Sequence, residues 1–366
     1  MTMKQSKNIT LDMGGGGAKS AEIISEIRKI LGPVGKWKNT GDDGAVFELP
    51  SQPLRPDDYI GTPPLIKGRK SKDMDPSTKL GTNFSGKKKN LVFTTDAFIV
   101  DPIFFAGGDI GKIAIAGTIN DLAVMGARPI GIGLSIVMEE GFPIADLKKI
   151  ITSIGKVSRE TGVPIVTGDT KVTEKGKIDK IEITTSGVGL AQNIISNGGA
   201  KVGDYIITSG DLGEHAVALL ATRFNYKTKI KSDCQPFIVE LSKVGKYLNA
   251  CKDLTRGGLA ANLNEIAEKS RVKIVLDEKL LPYKKEVVAV TELLGLDKFS
   301  LASEGRFIAT VPEKNIKKVL TMLKKFNPEA KIIGRVERGR GLYVKTELGG
   351  LRIVEVPRGK LIPRIC

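Results

Sequence analysis

The sequence is poor in the residues that form disulfides, zinc sites and histidine-based catalytic groups. Among 366 residues there are three cysteines, one tryptophan and one histidine, His215. Three scattered cysteines give neither a disulfide framework nor the spacing of a zinc site, which predicts a reducing, cytoplasmic setting. A single histidine excludes a catalytic triad supported by a second histidine and argues against a histidine-rich metal site.

Long apolar runs are missing as well. No stretch of about 18 apolar residues is available to span a bilayer, and the opening MTMKQSKNIT lacks the apolar core of a signal peptide. With 41% hydrophobic and 27% charged residues, the composition is that of a soluble globular protein without a membrane partner. The length predicts two domains.

Positive charge is in excess, at +16. Much of it is local, since residues 51–90 carry nine lysines and arginines against four aspartates. This segment is rich in Pro, Gly and Ser without apolar periodicity, which predicts a long, mobile surface insertion. The remaining charge follows solvated helix faces, and no basic motif is interleaved with aromatic residues. We therefore expect no nucleic-acid partner.

Strands and helices alternate through both halves, which predicts α/β or α+β layers. A helix is predicted over 18–31, and the boundary between the two halves near 194–203. Predicted strands lie at 91–100, 129–138, 163–169, 180–190, 205–210, 272–276, 305–311, 331–336, 342–346 and 351–356. Further helices are predicted near 109–126, 146–160, 212–223, 238–249, 257–269 and 313–325.

Aspartates at the ends of apolar strands, together with glycines before a helix, indicate phosphate binding. Consecutive glycines at 14–17 could curl backbone N–H groups round an anion, or could be a plain tether. Several carboxylates with few basic neighbours are what Mg²⁺ needs to bridge nucleotide phosphates. Each one alone could be a turn residue, and Asp109 is expected to be only a helix cap. The expected metal ligands are Asp43, Asp96, Asp121 and Asp169.

Other polar residues are candidates for catalysis or for contacts with phosphate. Lys112 and Lys171 could touch phosphate or substrate, or could simply be solvated. Asp253 to Gly258 (DLTRGG) precedes a predicted helix and could form a second anion-binding turn. Glu304 in ALASEGRF is either a catalytic carboxylate or a surface glutamate.

The chain closes on Pro-Arg-Ile-Cys, with Cys366 as its last residue. A terminal cysteine is either an accident of sequence or a thiol on a mobile tail that can be carried between sites. With the other motifs in order, the chain resembles the hydrogenase-maturation family HypE. That family belongs to an ATP-binding superfamily with aminoimidazole ribonucleotide (AIR) synthetase and selenophosphate synthetase. The pieces that carry the resemblance are TTDAFIVDPIFFAGGDIGKIAIAGTINDLAVMGA, EEGFP, IVTGDTK, DLTRGGLAANLNEIA, SEGRF and PRIC.

The resemblance implies a two-domain AIR-synthetase-like fold. Residues 1–195 would form the dimer and the ATP cleft, residues 196–350 an α+β domain, and residues 351–366 a flexible tail. It also implies a chemistry in which the partner HypF places a carbamoyl group on Cys366. ATP and Mg²⁺ then serve to dehydrate that group to a thiocyanate, and cyanide passes to iron held by a HypC–HypD complex.

Site residues follow from the same resemblance. Cys366, Glu304 and Lys171 are the expected catalytic residues, with Glu304 removing a proton. The expected nucleotide contacts are Gly15, Gly16, Asp43, Asp96, Lys112, Asn120, Asp121, Asp169 and Thr170. Two stretches depart from the family pattern: the glycine-rich MGGGGAKS, and GEHA at 213–216, which puts a role for Glu214 in doubt.

Related functions fit the sequence less well. Selenophosphate synthetase needs a reactive cysteine beside the glycine loop, and residues 1–40 contain none. Thiamine-phosphate kinase and the purine enzyme have no use for a terminal thiol. A non-enzymatic iron scaffold would need more Cys and His ligands than this chain supplies.

Overall fold

The computed structural model describes residue 38, residues 44–49 and residues 89–357. Its first sheet has five strands in the order β1-β2-β7-β5-β6, with β5 and β6 parallel and the other pairs antiparallel. A short hairpin of β3 and β4 follows β2. The strands are β1 Ala45–Leu49, β2 Lys89–Phe98, β3 Phe104–Phe105, β4 Gly108–Asp109, β5 Arg128–Glu139, β6 Ile165–Thr173 and β7 Ile181–Ala191.

Two helices pack on one face of this sheet. Helix α1 (Ile110–Val124) is apolar on every side, and it is buried nearly throughout. Asp109 caps its first turn by accepting a hydrogen bond from the Lys112 N–H at 3.0 Å, which confirms the predicted cap. Helix α2 (Ile144–Thr161) buries only the stripe of Ile150, Ile154 and Val157.

The second sheet has seven strands in the order β14-β13-β10-β12-β8-β11-β9. All pairs are antiparallel except β10 with β13. The strands are β8 Tyr205–Thr208, β9 Ala250–Asp253, β10 Lys273–Asp277, β11 Phe307–Val311, β12 Lys331–Glu337, β13 Gly341–Lys345 and β14 Leu351–Ile353. The helices of this half are α3 Glu214–Arg223, α4 Ile238–Val244, α5 Gly258–Ser270, α6 Lys285–Leu294 and α7 Glu313–Leu323.

The apolar core runs from one half of the chain into the other. Ala216, Val217 and Leu219 of α3 belong to the same buried cluster as Ile110 and Ile113 of α1. Helix α4 and strand β9 of the second half also lie against α1. The candidate site is built at this junction.

The two-layered α/β architecture agrees with the fold class predicted from the sequence. Strand β9 and helix α6 were not predicted, and the helix expected over 18–31 lies outside the described residues. So does nearly all of the 51–90 segment. In the part of the chain that is described, no helix is both long and apolar enough to cross a membrane.

Candidate active site

Asn120 lies in the buried interior of α1 and joins three backbone groups of the second half. Its Nδ2 donates to the carbonyls of Gln235 at 3.1 Å and Glu304 at 3.3 Å. Its Oδ1 accepts from the Phe237 N–H at 3.0 Å. The cost of burying a polar amide in an apolar helix is thus offset by hydrogen bonds to two loops. Asn120 is an expected nucleotide contact, and in this structure its side chain holds protein backbone.

Asp121 belongs to α1 and faces strand β2, which carries Asp96. The Thr94 Oγ1 donates to the Asp121 Oδ2 at 2.9 Å. Asp96 follows Thr94 by two residues in β2, so both side chains point to the same face of the sheet. One carboxylate from α1 and one from the facing side of β2 are a donor set that suits Mg²⁺ bridging to phosphates, because Mg²⁺ commonly takes only one or two carboxylates from the protein.

Asp169, Thr170 and Lys171 lie apart from this pair, on the exposed edge strand β6. Lys171 Nζ is 3.2 Å from Asp169 Oδ2, and the Thr170 N–H donates to Asp169 Oδ1 at 2.8 Å. These hydrogen bonds, that of Lys171 first, lower the pKa of Asp169. Strands β7 and β5 separate β6 from β2, a distance of about 14 Å at ordinary strand spacing. One copy of the chain therefore does not bring Asp169 beside Asp96.

Lys112 lies in the first turn of α1. Its Nζ donates to the carbonyl of Gly107 at 2.8 Å, so this ammonium closes the β3–β4 hairpin onto the helix. The side chain remains partly exposed. A phosphate contact by Lys112 stays a prediction.

Glu304 is buried in the segment between the short 3₁₀ helix at residues 298–300 and strand β11, with 3% of its surface exposed. Burial raises the pKa of its carboxyl to about 8, and the negative charges of Asp253, Asp233 and Asp96 add to the rise, opposed by Arg256. A carboxyl that binds a proton near neutral pH is suited to general-base chemistry. Of the two interpretations of Glu304, the exposed surface glutamate is excluded.

A buried ionic network lies behind Glu304. Arg306 Nη2 is 3.6 Å from Glu214 Oε2, and Lys284 Nζ is 2.6 Å from Glu214 Oε1. Arg306 Nε is 3.9 Å from Asp233 Oδ2. Burial raises the pKa of Asp233 to about 6. Glu214, the residue of the unusual GEHA stretch, is therefore part of a buried ion network in this structure.

His215, the only histidine, is not a proton acceptor at working pH. Complete burial lowers its pKa to about 3, so the ring stays neutral. Its Nδ1 lies 2.7 Å from Ser232 Oγ, which also accepts the Cys234 N–H at 3.1 Å. The histidine thus holds the loop that carries Asp233 and Cys234.

Four of the predicted site residues lie outside the described residues: Gly15, Gly16, Asp43 and Cys366. Within residues 44–49 and 89–357, no group of three or more His, Cys, Asp or Glu side chains is arranged to hold a metal ion. Asp96 and Asp121 alone would need further oxygen ligands, which nucleotide phosphates provide.

Sequence reasoning did not identify Asp233, Arg306 or Lys284. The motif SEGRF contains Arg306 and marks its segment. Asp233, in KSDCQPF, has no local pattern that distinguishes it from a loop aspartate. Its contact with Glu304 joins positions 71 residues apart and is visible only in the folded chain.

Comparison with known families covers both halves. Residues 80–191 match the family of AIR synthase related proteins, N-terminal domain, and residues 201–347 match its C-terminal domain. Carbamoyl dehydratase HypE of Cupriavidus necator is 38% identical, over 99% of this chain and 96% of that protein. Carbamoyl dehydratase HypE of Rhizobium leguminosarum is 42% identical, over 77% of this chain and 84% of that protein.

The chain belongs to the HypE family. A HypE structure in complex with ATP superposes with a TM-score of 0.73 at 31% identity, covering 98% of this chain and all of that one. A structure of a HypE–HypF complex superposes with a TM-score of 0.71 at 39% identity, covering 73% of this chain and 90% of that one. A ThiL structure at 21% identity, with a TM-score of 0.67, shares the fold.

Proposed function

We propose that this HypE-family chain uses ATP to dehydrate a carbamoyl group on its own Cys366 to a thiocyanate. The product supplies the cyanide ligand for the iron of a nickel–iron hydrogenase. A relative that bears the name carbamoyl dehydratase aligns with nearly the whole chain. The observation that carries the proposal is Glu304, a buried carboxyl with a pKa of about 8 that the negative charge of Asp96 helps to raise.

In the proposed reaction, aspartates bind the metal ion and Glu304 removes a proton. Asp96 and Asp121 would hold Mg²⁺, together with Asp43 and with Asp169 from β6 of a second copy of the chain. When bound, Mg²⁺ and ATP supply a phosphoryl group for the carbamoyl oxygen, which converts a poor leaving group into phosphate. Glu304 takes an N–H proton as the C≡N bond forms. The carbamoyl group loses its oxygen to phosphate and its two N–H protons, one to Glu304 and one to solvent, and its bond to sulfur stays intact.

Cys366 is the acceptor thiol because the other two cysteines are buried. Cys234 and Cys251 have 1% and 0% of their surface exposed. Burial, with repulsion from Glu304, raises the pKa of Cys234 well above its ordinary value. A buried, protonated thiol is a poor nucleophile, whereas a terminal thiolate can reach a second protein.

The test is the mass of the C-terminal peptide after incubation with HypF, carbamoyl phosphate and ATP. The full chain should gain a carbamoyl group on Cys366 and then lose one water from it. Cys366→Ala should abolish both changes while Mg-ATP binding persists, and Cys251→Ala, the control, should show both. A carbamoyl or cyano increment on Cys234 or Cys251 in the Cys366→Ala protein would contradict the proposal.

The proposed partners are HypF as carbamoyl donor, a HypC–HypD complex as iron acceptor, and a second copy of the chain. Support for a homodimer comes from β6, an edge strand whose Val166 and Val172 are 63% and 66% exposed. Pairing of two copies along β6 would let Asp169 and Lys171 of one copy serve the nucleotide site of the other. Light scattering from the full chain measures this state directly.

A further inference from the structure

The backbone of Glu304 is held on both sides by side chains from distant parts of the chain. Its N–H donates to Asp233 Oδ1 at 3.0 Å, and its carbonyl accepts from Asn120 Nδ2 at 3.3 Å. Gly305, the next residue, packs against the Asp233 carbonyl so closely that a Cβ there would lie 1.9 Å from that oxygen. The 233 loop and the Glu304 segment are therefore fitted to each other at backbone level.

Asp233 is a costly residue for this place in the loop, where its carboxylate accepts the Glu304 N–H and also interacts with the Ser303 side chain. Its side chain has 0% exposure. Among the described residues, neither its Oδ2 nor the Arg306 Nε has a hydrogen-bond partner, and the two atoms lie 3.9 Å apart. Arg306 is also close to Glu214, so its charge is divided between two carboxylates. A buried carboxylate with an incomplete partner destabilises a fold, and an amide would hold the same N–H without that cost.

We propose that Asp233 is a positioning residue for the dehydration: it fixes the backbone that carries Glu304 and sets a second buried negative charge beside the base. This inference rests on the proposed role of Glu304. It explains why an acid, rather than an amide or a hydroxyl, lies at this place in the loop.

The charge has a defined effect on the pH at which Glu304 works. The charged groups that act on the Glu304 carboxyl include Asp253 at the end of β9, Asp233, Asp96 on β2, and Arg256 before α5. The buried thiol of Cys234 also interacts with Glu304, but its raised pKa keeps it neutral. The pKa of Asp233 is about 6, so near pH 8 it carries a full negative charge. Repulsion from that charge adds to burial and keeps Glu304 a strong base.

The test is the pH dependence of dehydration in the full chain after carbamoylation by HypF. Loss of water from the carbamoylated tail is followed by mass spectrometry between pH 6.5 and 9.5 with Mg²⁺ and ATP present. Asp233→Asn keeps an acceptor for the Glu304 N–H and removes the charge. The rate of dehydration falls on the acid side as Glu304 is protonated, and we call this part of the pH profile the acid limb. In Asp233→Asn the acid limb should lie about one pH unit lower than in the wild type, which is the smaller end of what a neighbouring charge does to the pKa of a carboxyl. The high-pH plateau should fall severalfold, because the base is weaker.

Asp204→Asn is the matched control. Asp204 is also a buried aspartate that accepts a backbone N–H, from Lys201 at 2.9 Å, but it lies in the loop before β8. This variant should leave the acid limb where the wild type has it. Calorimetry of Mg-ATP binding reports whether each variant keeps its nucleotide site.

The outcomes separate this inference from the function on which it rests. If Glu304→Gln dehydrates at the wild-type rate, Glu304 is not the general base, and the proposed function of this residue is contradicted. If Glu304→Gln stalls before dehydration but the acid limb of Asp233→Asn is the same as in the wild type, only the proposed role of Asp233 is overturned. Asp233→Ser, smaller and neutral, serves if Asp233→Asn does not fold. Failure of both to fold would assign Asp233 to stability alone and reject the proposal.

Discussion

Glu304 is kept protonated up to about pH 8 by its surroundings, and the fold is destabilised in return. The native state holds a proton on this carboxyl between its unfolded pKa, near 4.5, and its folded pKa of about 8. In that window the native state binds more protons than the unfolded state. The free energy of unfolding therefore falls as pH rises from about 4.5 to 8.

For Glu304→Gln we expect two opposite effects. Dehydration should fall by a factor on the order of 10²–10⁴, the usual cost of losing a general base, while carbamoylation of Cys366 continues. The thermal midpoint should exceed that of the wild type at pH 8.5 and match it near pH 4.5, because glutamine carries no charge to bury. Mass spectrometry of the tail and calorimetric unfolding measure the two effects. Equal stability gains at both pH values would contradict the buried-charge explanation.

Asp121→Asn tests the metal assignment at the neighbouring residue. Asparagine can still accept the Thr94 hydroxyl, so folding should be preserved, but the charge that attracts Mg²⁺ is lost. Mg-ATP affinity should fall by roughly 10- to 100-fold, the range seen when metal sites lose a supporting group. Asp146→Asn, an exposed aspartate on α2 that pairs with Lys149, is the control and should bind normally. Titration calorimetry decides, and an unchanged affinity in Asp121→Asn would take this residue out of the site.

At the scale of single elements, the contact between α1 and α2 depends on Gly111. A Cβ at this position would lie 2.7 Å from the Ile150 carbonyl oxygen and 2.9 Å from a side-chain carbon of Ile154. The same addition at Gly155, in the interior of α2, would meet only the flexible end of Arg159, at 3.0 Å. The two glycines therefore predict opposite results for one and the same substitution.

Gly111→Ala should lower the free energy of unfolding by about 1–3 kcal/mol through overpacking. Gly155→Ala should raise it by about 0.5–1 kcal/mol, because alanine loses less entropy in a helix. Urea unfolding of both variants beside the wild type gives the two values. A stable Gly111→Ala protein would mean that α2 moves away from α1 without loss.

Elements with a strong local pattern could be predicted from the sequence. The apolar run of α1 and the alternating strands β2 and β7 are examples. Helix α6 (KEVVAVTELL) was missed because its β-branched residues favour a strand. Val287 and Thr291 lie on one side of the helix and are buried, so packing against the core stabilises the helix instead. Strand β9 was missed because it is four residues long and buries a lysine and an aspartate. Glu304 and Asn120 could be singled out by motif, but their mutual hydrogen bond depends on the fold.

At the scale of the whole molecule, β1 and β2 form an antiparallel pair that ends with Leu49 opposite Lys89. Leu49 and Lys89, which flank residues 50–88, are thus neighbours across a ladder, about 5 Å apart. Their separation requires only a short turn. The segment itself lies outside the described residues.

Replacing residues 51–88 with a four-residue Gly/Ser turn should keep the fold and the rate of dehydration. Loop length contributes to closure entropy only logarithmically, so the midpoint of thermal unfolding should stay within a few degrees or rise. Differential scanning calorimetry and tail mass spectrometry check both points. A large drop in the midpoint would show that the segment packs on the body of the protein. Loss of carbamoylation alone would point to a contact with HypF.

The contacts of Asn120 also limit which substitutions this position can accept during evolution. Three backbone groups in two loops depend on one side chain that offers two donors and an acceptor at fixed positions. Aspartate has the shape without the donors, and glutamine has the groups at a different reach. Position 120 should therefore tolerate almost no replacement. An alignment would mark it as invariant, and the reason would be architectural.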